Sequence, residues 1–397
     1  MNPRTVWVTG VGAVTAAGPG RDDLARAVAT TDSFVRPHGE LGGARVASVD
    51  FNATGARRLD RTARLFKQAA EEAWRDADLL DGAFLPHRCG AIEGSSLGPT
   101  AELLTTLHSG CSERMRHRPS NLIRFMPGAG AATFAMERGI AGPVMHLSVG
   151  SVSGATAIGE GFLKVASGQL DIAVVGGAEC PLHTRVLGTF EAAGVLSPSR
   201  DGVVPCMPFD AERGGTVLGE GSAVLILELR EHAEARGVGP LVELAGFGTA
   251  TEGHSMVAPS PDGCGVRHAA RQALDGFDRA ELGWIKCHGT GTPLNDAAEY
   301  QGLQGLFGPG LAELPMTSLK PMLGHCLGAS GAVEAAATVL AMRERLVPAT
   351  LGTRRVDPHF DYCSLVKEPR EAPPGAVLAL SESFGGRCAA LVFAEAT

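Results

Sequence analysis

Short β-rich runs alternate with Ala-rich helical patterns along nearly the whole chain, and this alternation limits the available folds more than any other feature. Candidate strands are Thr5–Val14, Cys89–Ser95, Pro143–Val149, Ile172–Ala178, Ala223–Leu229, Leu241–Gly248, Trp284–His288, Val377–Ser381 and Ala389–Ala394. Candidate helices are Arg61–Ala77, Gly154–Ser167, Val266–Gly276, Asp296–Phe307 and Gly328–Arg343. Strands separated by helix-length segments predict an α/β fold with a mainly parallel sheet covered by helices. No Pro/Ser/Gly-rich linker divides the chain, and its weakest joint is the polar stretch 231–240. This joint gives two expected halves, 1–235 and 236–397, built in the same style of strand, Gly-rich turn and Ala-rich helix. No residue-level repeat is evident, so a duplicated fold and one continuous α/β domain both stand as expectations.

Composition narrows the function classes. With 44% hydrophobic residues the chain can fill a large core, and 53 glycines suit close helix–sheet packing and tight turns. A formal net charge of -8 argues against non-specific nucleic-acid binding, and no basic run carries interleaved aromatics. The nine cysteines are odd in number, form no CxxC and show no Cys/His spacing suited to zinc, so no metal is expected. The opening MNPRTVWVTGVGAV reads as a strand rather than a secretory leader, and no uncharged apolar stretch is long enough to span a membrane. A reduced, cytoplasmic protein is expected.

Three segments carry candidate chemistry. In HLSVGSVSGATAIGEG, a strand runs through Gly150 into an Ala-rich helix with Ser151 at the junction. Unpaired N–H groups at a helix start can hold a developing oxyanion beside such a residue. The plainer reading is an N-cap serine. The segment is not a G-x-S-x-G elbow, because Val152 stands at its centre. In KCHGTGTPLNDAAE, a strand ends at His288, and Thr290 and Thr292 lead to Asp296 near a helix start. In TSLKPMLGHCLGASGAVEAA, Lys320 follows a short strand, His325 sits in a Gly loop, and Glu334 lies on the helix beyond. Each alone is compatible with an ordinary structural loop. Together they repeat one device: strand, Gly turn bearing one reactive side chain, helix.

Spelled this way, the chain resembles the β-ketoacyl-[acyl-carrier-protein] synthase family, closest to its elongating type II members. The resemblance rests on HGTGTP at 288–293, LKPMLGHCLGASGAVE at 319–334, the PFD…RGG…LGEG spelling within 199–228, VTGVGAVTAAG at 8–18 and FGGRCAALVF at 384–393. It implies a thiolase-like fold, two similar α/β halves packed as a five-layer αβαβα sandwich. It further implies that His288 and His325 hydrogen-bond a thioester carbonyl and stabilise an enolate, with Lys320 and Glu334 orienting them. Phe384 would be a gate whose N–H, beside Gly385, joins that of residue 151 as an oxyanion hole. Implied partners are an acyl-carrier protein, whose phosphopantetheine arm carries the substrate so that no other cofactor is needed, and a second ketosynthase-like subunit in a homodimer or heterodimer. The basic run Arg57, Arg58, Arg61 and Arg64 would be the carrier-docking face, or simply a solvated helix face.

The departure lies at the nucleophile. The family's Cys is replaced within Val149-Gly150-Ser151-Val152-Ser153-Gly154, so Ser stands where a thiol is expected. A helix N-terminus can draw a thiol to thiolate, but a serine hydroxyl needs a general base within reach. Asn295 replaces a Gly before Asp296, and Glu382, Ser383 and Arg387 alter the loop around Phe384, with expected effects on gate mobility and pocket polarity. Three readings follow. Ser151 works as an acyl acceptor with His288 or His325 as base. Alternatively Ser151 is not acylated, and the chain decarboxylates malonyl groups or serves as a chain-length-factor-like partner. Or it is an ordinary synthase carrying a Cys-to-Ser change. A serine hydrolase of another fold is disfavoured by the missing elbow.

Overall fold

The computed structural model describes residues 4–42, 45–51, 59–79, 83–110, 119–198 and 206–396. Ten strands form the main sheet system: β1 Val6–Val14, β2 Cys89–Gly94, β3 Val144–Leu147, β4 Ile172–Glu179, β5 Gly221–Leu229, β6 Val242–Thr251, β7 Leu282–Lys286, β8 Met316–Thr317, β9 Ala376–Ser383 and β10 Arg387–Ala394. All nine candidate strands are present, and the two-residue β8 is added to them.

The strand order is β8-β7-β9-β10-β6-β1-β5-β4-β2-β3. Each set of five therefore has the same internal order, third-second-fourth-fifth-first. The pairing directions match as well: β2 is parallel to β3 and β4, as β7 is to β8 and β9. β5 is antiparallel to β1 and β4, as β10 is to β6 and β9. This is two similar α/β halves, joined where Trp7 and Val8 pair with Glu243 and Val242. The sheet is mixed rather than mainly parallel. In the second half the reason is local, since β9 turns directly into β10 across a three-residue loop, which only an antiparallel pair permits.

Five helices set the layers: α1 Arg61–Asp76, α2 Ser153–Ala166, α3 Cys264–Ala273, α4 Pro293–Phe307 and α5 Ser330–Arg343. α1 covers the outer face of the first half, and α3 and α4 cover that of the second. α2 and α5 pack on each other between the sheets, completing the αβαβα order. Their positions explain their sequences. α1 is amphipathic, whereas every residue of α5 from Ser330 to Ala341 is buried, as a helix in a central layer must be. Likewise β1, β4 and β5 are buried at every position, so they read as continuous apolar runs.

A repeat at residue level, not evident from sequence, emerges where helix meets sheet. A Cβ on Gly12 would lie 2.0 Å from Ala69 O, and one on Gly10 2.3 Å from Ala73 O. In the second half, a Cβ on Gly248 would lie 2.2 Å from Ala269 O, and one on Gly246 2.0 Å from Ala273 O. Both halves press a helix backbone onto a G-x-G strand through alanines four residues apart. Side chains at these glycines would hold the layers apart.

Candidate active site

β3 ends in the tight turn that presents Ser151 to the start of α2. Gly150 takes φ +72°, a left-handed conformation disfavoured for other residues. Ser153 locks the turn: its Oγ donates to Gly150 O at 2.6 Å and accepts from Val149 N at 2.9 Å. Ser151 is half-buried beside the first turn of a 14-residue helix.

The three separate segments meet here. Ser151 Oγ lies 3.3 Å from His325 Nε2, and the His288 and His325 rings are 5.4 Å apart, edge to face. The far nitrogen of His325, Nδ1, is 2.8 Å from Ser330 Oγ. The His325 backbone is fixed by the LGEG segment: its N–H donates to Val217 O at 2.6 Å, and its carbonyl accepts from Gly219 N at 3.0 Å. His288 is held from behind by Lys320, whose Nζ donates to Nδ1 at 3.1 Å and to the His288 carbonyl at 2.5 Å. A lysine donating to Nδ1 leaves the His288 proton on Nε2. Burial, with the Lys320 charge next, drives the pKa of both imidazoles well below the usual value, so both are neutral at pH 7.

Glu334 balances the buried cations. Its Oε1 accepts from Lys320 at 2.6 Å, and its Oε2 accepts from Lys286, whose ammonium also donates to the Leu380 carbonyl. Lys286 lies within a quoted motif yet was not singled out. Its signal was a lysine inside a buried apolar strand, where only a paired charge is tolerated. Asp296 is fully buried and organises the loop, accepting from Phe209 N at 2.8 Å and Gly291 N at 3.1 Å. Burial raises its pKa to about 6. Thr290 and Thr292 hydrogen-bond each other at 2.9 Å beside it.

Two further carboxylates escaped sequence reasoning. Glu299 accepts from His288 N at 2.5 Å and Gly289 N at 2.8 Å, setting the backbone from which the His288 ring projects. Glu179, at the end of β4, accepts from Ser95 Oγ at 2.9 Å, Ser96 N at 2.6 Å, Leu97 N at 3.1 Å and Gly328 N at 3.0 Å. It thereby ties the first half to the loop after His325. An acid closing an otherwise apolar strand, as in IAVVGGAE, is the signal that could have found it.

The loop between β9 and β10 departs from expectation at one atom. Ser383 Oγ accepts the Ser151 N–H at 2.8 Å, so the N–H expected to serve an oxyanion hole is already engaged. A glycine at this position could not make that bond. Phe384 is 47% exposed and stacks on Phe190 with centroids 6.5 Å apart, while Gly385 N donates to Met256 O at 2.9 Å. Glu382 is buried with Oε1 unpartnered among the described residues, and desolvation raises its pKa well above the carboxylate range. The end of β9 thus carries a buried neutral acid and a hydroxyl.

Of the basic run, Arg57 and Arg58 lie outside the described residues. Arg61 turns inward, to Glu220 Oε1 at 2.7 Å and Val49 O at 2.7 Å, because the buried Glu220 needs a cation. It therefore serves the fold rather than an exposed face. Arg64 Nε donates to Asp60 O at 3.4 Å, a local contact within its own helix start. No group of three or more His, Cys, Asp or Glu among the described residues could hold a metal ion.

A buried Lys–Glu–Lys network behind two neutral histidines, facing a helix-start residue across two similar α/β halves, defines a thiolase-fold condensing-enzyme architecture. The chain belongs to the β-ketoacyl synthase family: Beta-ketoacyl synthase, N-terminal domain matches residues 3–233, and Beta-ketoacyl synthase, C-terminal domain matches residues 241–354. It is 34% identical over 411 residues to a Streptomyces halstedii protein named as polyketide beta-ketoacyl synthase 1, covering 98% of this chain and 97% of the relative. It is 31% identical over 342 residues to 3-oxoacyl-[acyl-carrier-protein] synthase 2 of Staphylococcus aureus, covering 85% and 82%. Among solved structures, the ishigamide ketosynthase/chain length factor matches with TM-score 0.91 at 27% identity, covering 100% of both chains. No helix among the described residues is long and apolar enough to cross a membrane.

Proposed function

We propose that this chain is a ketosynthase-like acyltransferase acting on acyl-carrier-protein or CoA thioesters in polyketide- or fatty-acid-type biosynthesis, with Ser151 as acyl acceptor. The observation that carries this reading is the 3.3 Å contact from Ser151 Oγ to Nε2 of a buried, neutral His325. A hydroxyl needs a base, and an imidazole that donates from Nδ1 to Ser330 Oγ presents a lone pair at Nε2. In the acylation step the Ser151 proton passes to His325, the new C–O bond forms at the thioester carbonyl, and the C–S bond breaks. The departing thiolate takes the proton from the imidazolium. His288, with its proton on Nε2, is the side-chain donor to the carbonyl oxygen. Lys320, Lys286, Glu334 and Glu299 touch no substrate in this scheme and act by holding the histidines.

The partners follow from the same comparisons. A matching structure, with TM-score 0.90 and 27% identity, is titled as a type II acyl-carrier protein in complex with its ketosynthase. We infer an acyl-carrier protein as donor here too, with Arg64 and the neighbouring Arg57 and Arg58 as its docking cations. A second ketosynthase-like subunit would cover β3, the open edge of the first half, whose Val144 is 41% exposed. The functional halves are taken to divide at 235/236, after the short helix Arg230–Ala235.

One observation favours a second reading, in which Ser151 is not acylated and the histidine pair decarboxylates a malonyl group or the chain serves as a partner subunit: Ser383 occupies the Ser151 N–H. The test is intact mass after incubation with acyl-carrier proteins and acyl-CoAs. An ester adduct that vanishes in Ser151→Ala supports the acyltransferase. No adduct with any donor, together with CO2 release from malonyl-carrier protein, supports the second reading.

A further inference from the structure

The Ser151 N–H points into the space where an acyl carbonyl oxygen must settle as C–O bond formation begins, and Ser383 Oγ already fills that space at 2.8 Å. The fit is close. A Cβ on Gly150 would lie 2.1 Å from Ser383 Oγ, so the hydroxyl and the bare Gly150 are matched to each other. Ser383 ends β9, paired with Arg387, and the loop that follows it is pinned: Gly385 N donates to Met256 O at 2.9 Å, Glu252 N donates to Gly386 O at 2.8 Å, and Phe384 stacks on Phe190. Moving the hydroxyl by moving the loop would break all of these. Rotating the Ser383 side chain about its Cα–Cβ bond breaks a single hydrogen bond among the described residues, and a half-buried serine has other staggered positions.

We propose that Ser383 is a positioning residue that closes the oxyanion hole from within: its hydroxyl occupies the Ser151 N–H in the free protein, must rotate away before a thioester carbonyl can bind there, and so sets the rate at which residue 151 is acylated. The proposal rests on the reading of Ser151 as acyl acceptor. It adds no new bond-making step. It assigns to the free state a hydrogen bond that the acylation transition state has to displace, and the net worth of one such bond corresponds to about a five- to tenfold change in rate.

The experiment follows acyl loading of residue 151 by intact mass, using hexanoyl-N-acetylcysteamine as donor, across Ser383→Ala, Ser383→Gly and Ser383→Thr. Removing the hydroxyl in Ser383→Ala and Ser383→Gly is expected to raise the maximal loading rate about five- to tenfold, without a matching change in the donor concentration giving half-maximal rate. Ser383→Thr keeps the hydroxyl and is expected to load at the parental rate, which a merely structural role for Ser383 would not predict. The same three changes are placed in a Ser151→Cys background. If Ser151 never loads but Cys at 151 does, and loads faster without the Ser383 hydroxyl, the serine nucleophile falls and the gate stands. Loading that is unchanged or slower in Ser383→Ala and Ser383→Gly overturns the gate, and no loading in either background overturns both.

Discussion

Nε2 of His325 sits 3.3 Å from the Ser151 hydroxyl, although 174 residues separate them in the chain. Among the described residues, this imidazole is the group at hydrogen-bond distance that can take the Ser151 proton, so His325→Ala should slow acyl loading by roughly a hundredfold or more. The pH profile gives the sharper test. A base must be unprotonated to act, and burial with Lys320 nearby holds the His325 pKa well below 6.5. Loading should therefore stay level from pH 8 to below pH 6.5 and decline only in more acid solution. A midpoint at 6.5 or above, measured as initial loading rate against pH, would remove His325 from the role.

Glu93 makes the pH dependence of stability testable away from the site. It is fully buried, burial raises its pKa to about 8, and Oε2 accepts one backbone N–H, from Ala131 at 2.8 Å. Its folded pKa exceeds the unfolded one, so the folded state holds the extra proton between about pH 4.5 and 8. Stability from this group is present at low pH and is lost as pH rises through that window. Glu93→Gln keeps an acceptor for Ala131 and removes the titration. The variant should gain on the parent by on the order of a few kcal/mol between pH 5 and 8.5, read from urea unfolding midpoints. A difference that is flat across that range contradicts the assignment.

The paired glycines predict equal damage in the two halves. Gly12→Ala and Gly248→Ala each force a methyl to within 2.0 Å and 2.2 Å of a helix carbonyl oxygen. Each should destabilise the fold by about 2–3 kcal/mol, the usual scale of overpacking. Gly39, where an added Cβ meets nothing within 4 Å among the described residues, is the control, and Gly39→Ala should be near neutral. Equal stability of all three variants in thermal unfolding would show that the helices can move away from the strands at little cost.

Those glycines also mark the limit of the sequence. Most of the nine candidate strands were legible because burial on both faces writes continuous apolar runs, and the five main helices because alanines recur among them. Their duplication was not, because it is carried by two G-x-G strands and by alanines in distant helices, too few positions to register as a repeat. His288, His325, Lys320, Glu334 and Ser151, which the fold brings together, stood out in the sequence because each stands in a Gly-rich turn or a long spelled motif. Glu179, Glu299 and Lys286 were missed because their partners are mostly backbone groups or residues brought near by folding. Arg61 was misplaced for the same reason: a basic run read along one helix does not reveal that one of its members neutralises the buried Glu220.

Ser151→Cys tests whether the rest of the condensing apparatus is intact. An acyl oxyester on serine is a poorer donor to a carbon nucleophile than a thioester on cysteine, so condensation at Ser151 should be slow. His288 is neutral and carries its proton on Nε2, which suits it to donate to a thioester carbonyl whose oxygen gains charge as CO2 departs. Lys320 and Glu334 hold His288 in place independently of the residue at 151. Supplying a thiol should then restore carbon–carbon bond formation from an acyl donor and malonyl-carrier protein, seen as a β-ketoacyl product by mass. An acylated Cys variant that releases CO2 but yields no β-ketoacyl product would place the defect beyond the nucleophile, and the neutral Glu382 buried near the end of β9 is then the first residue to change.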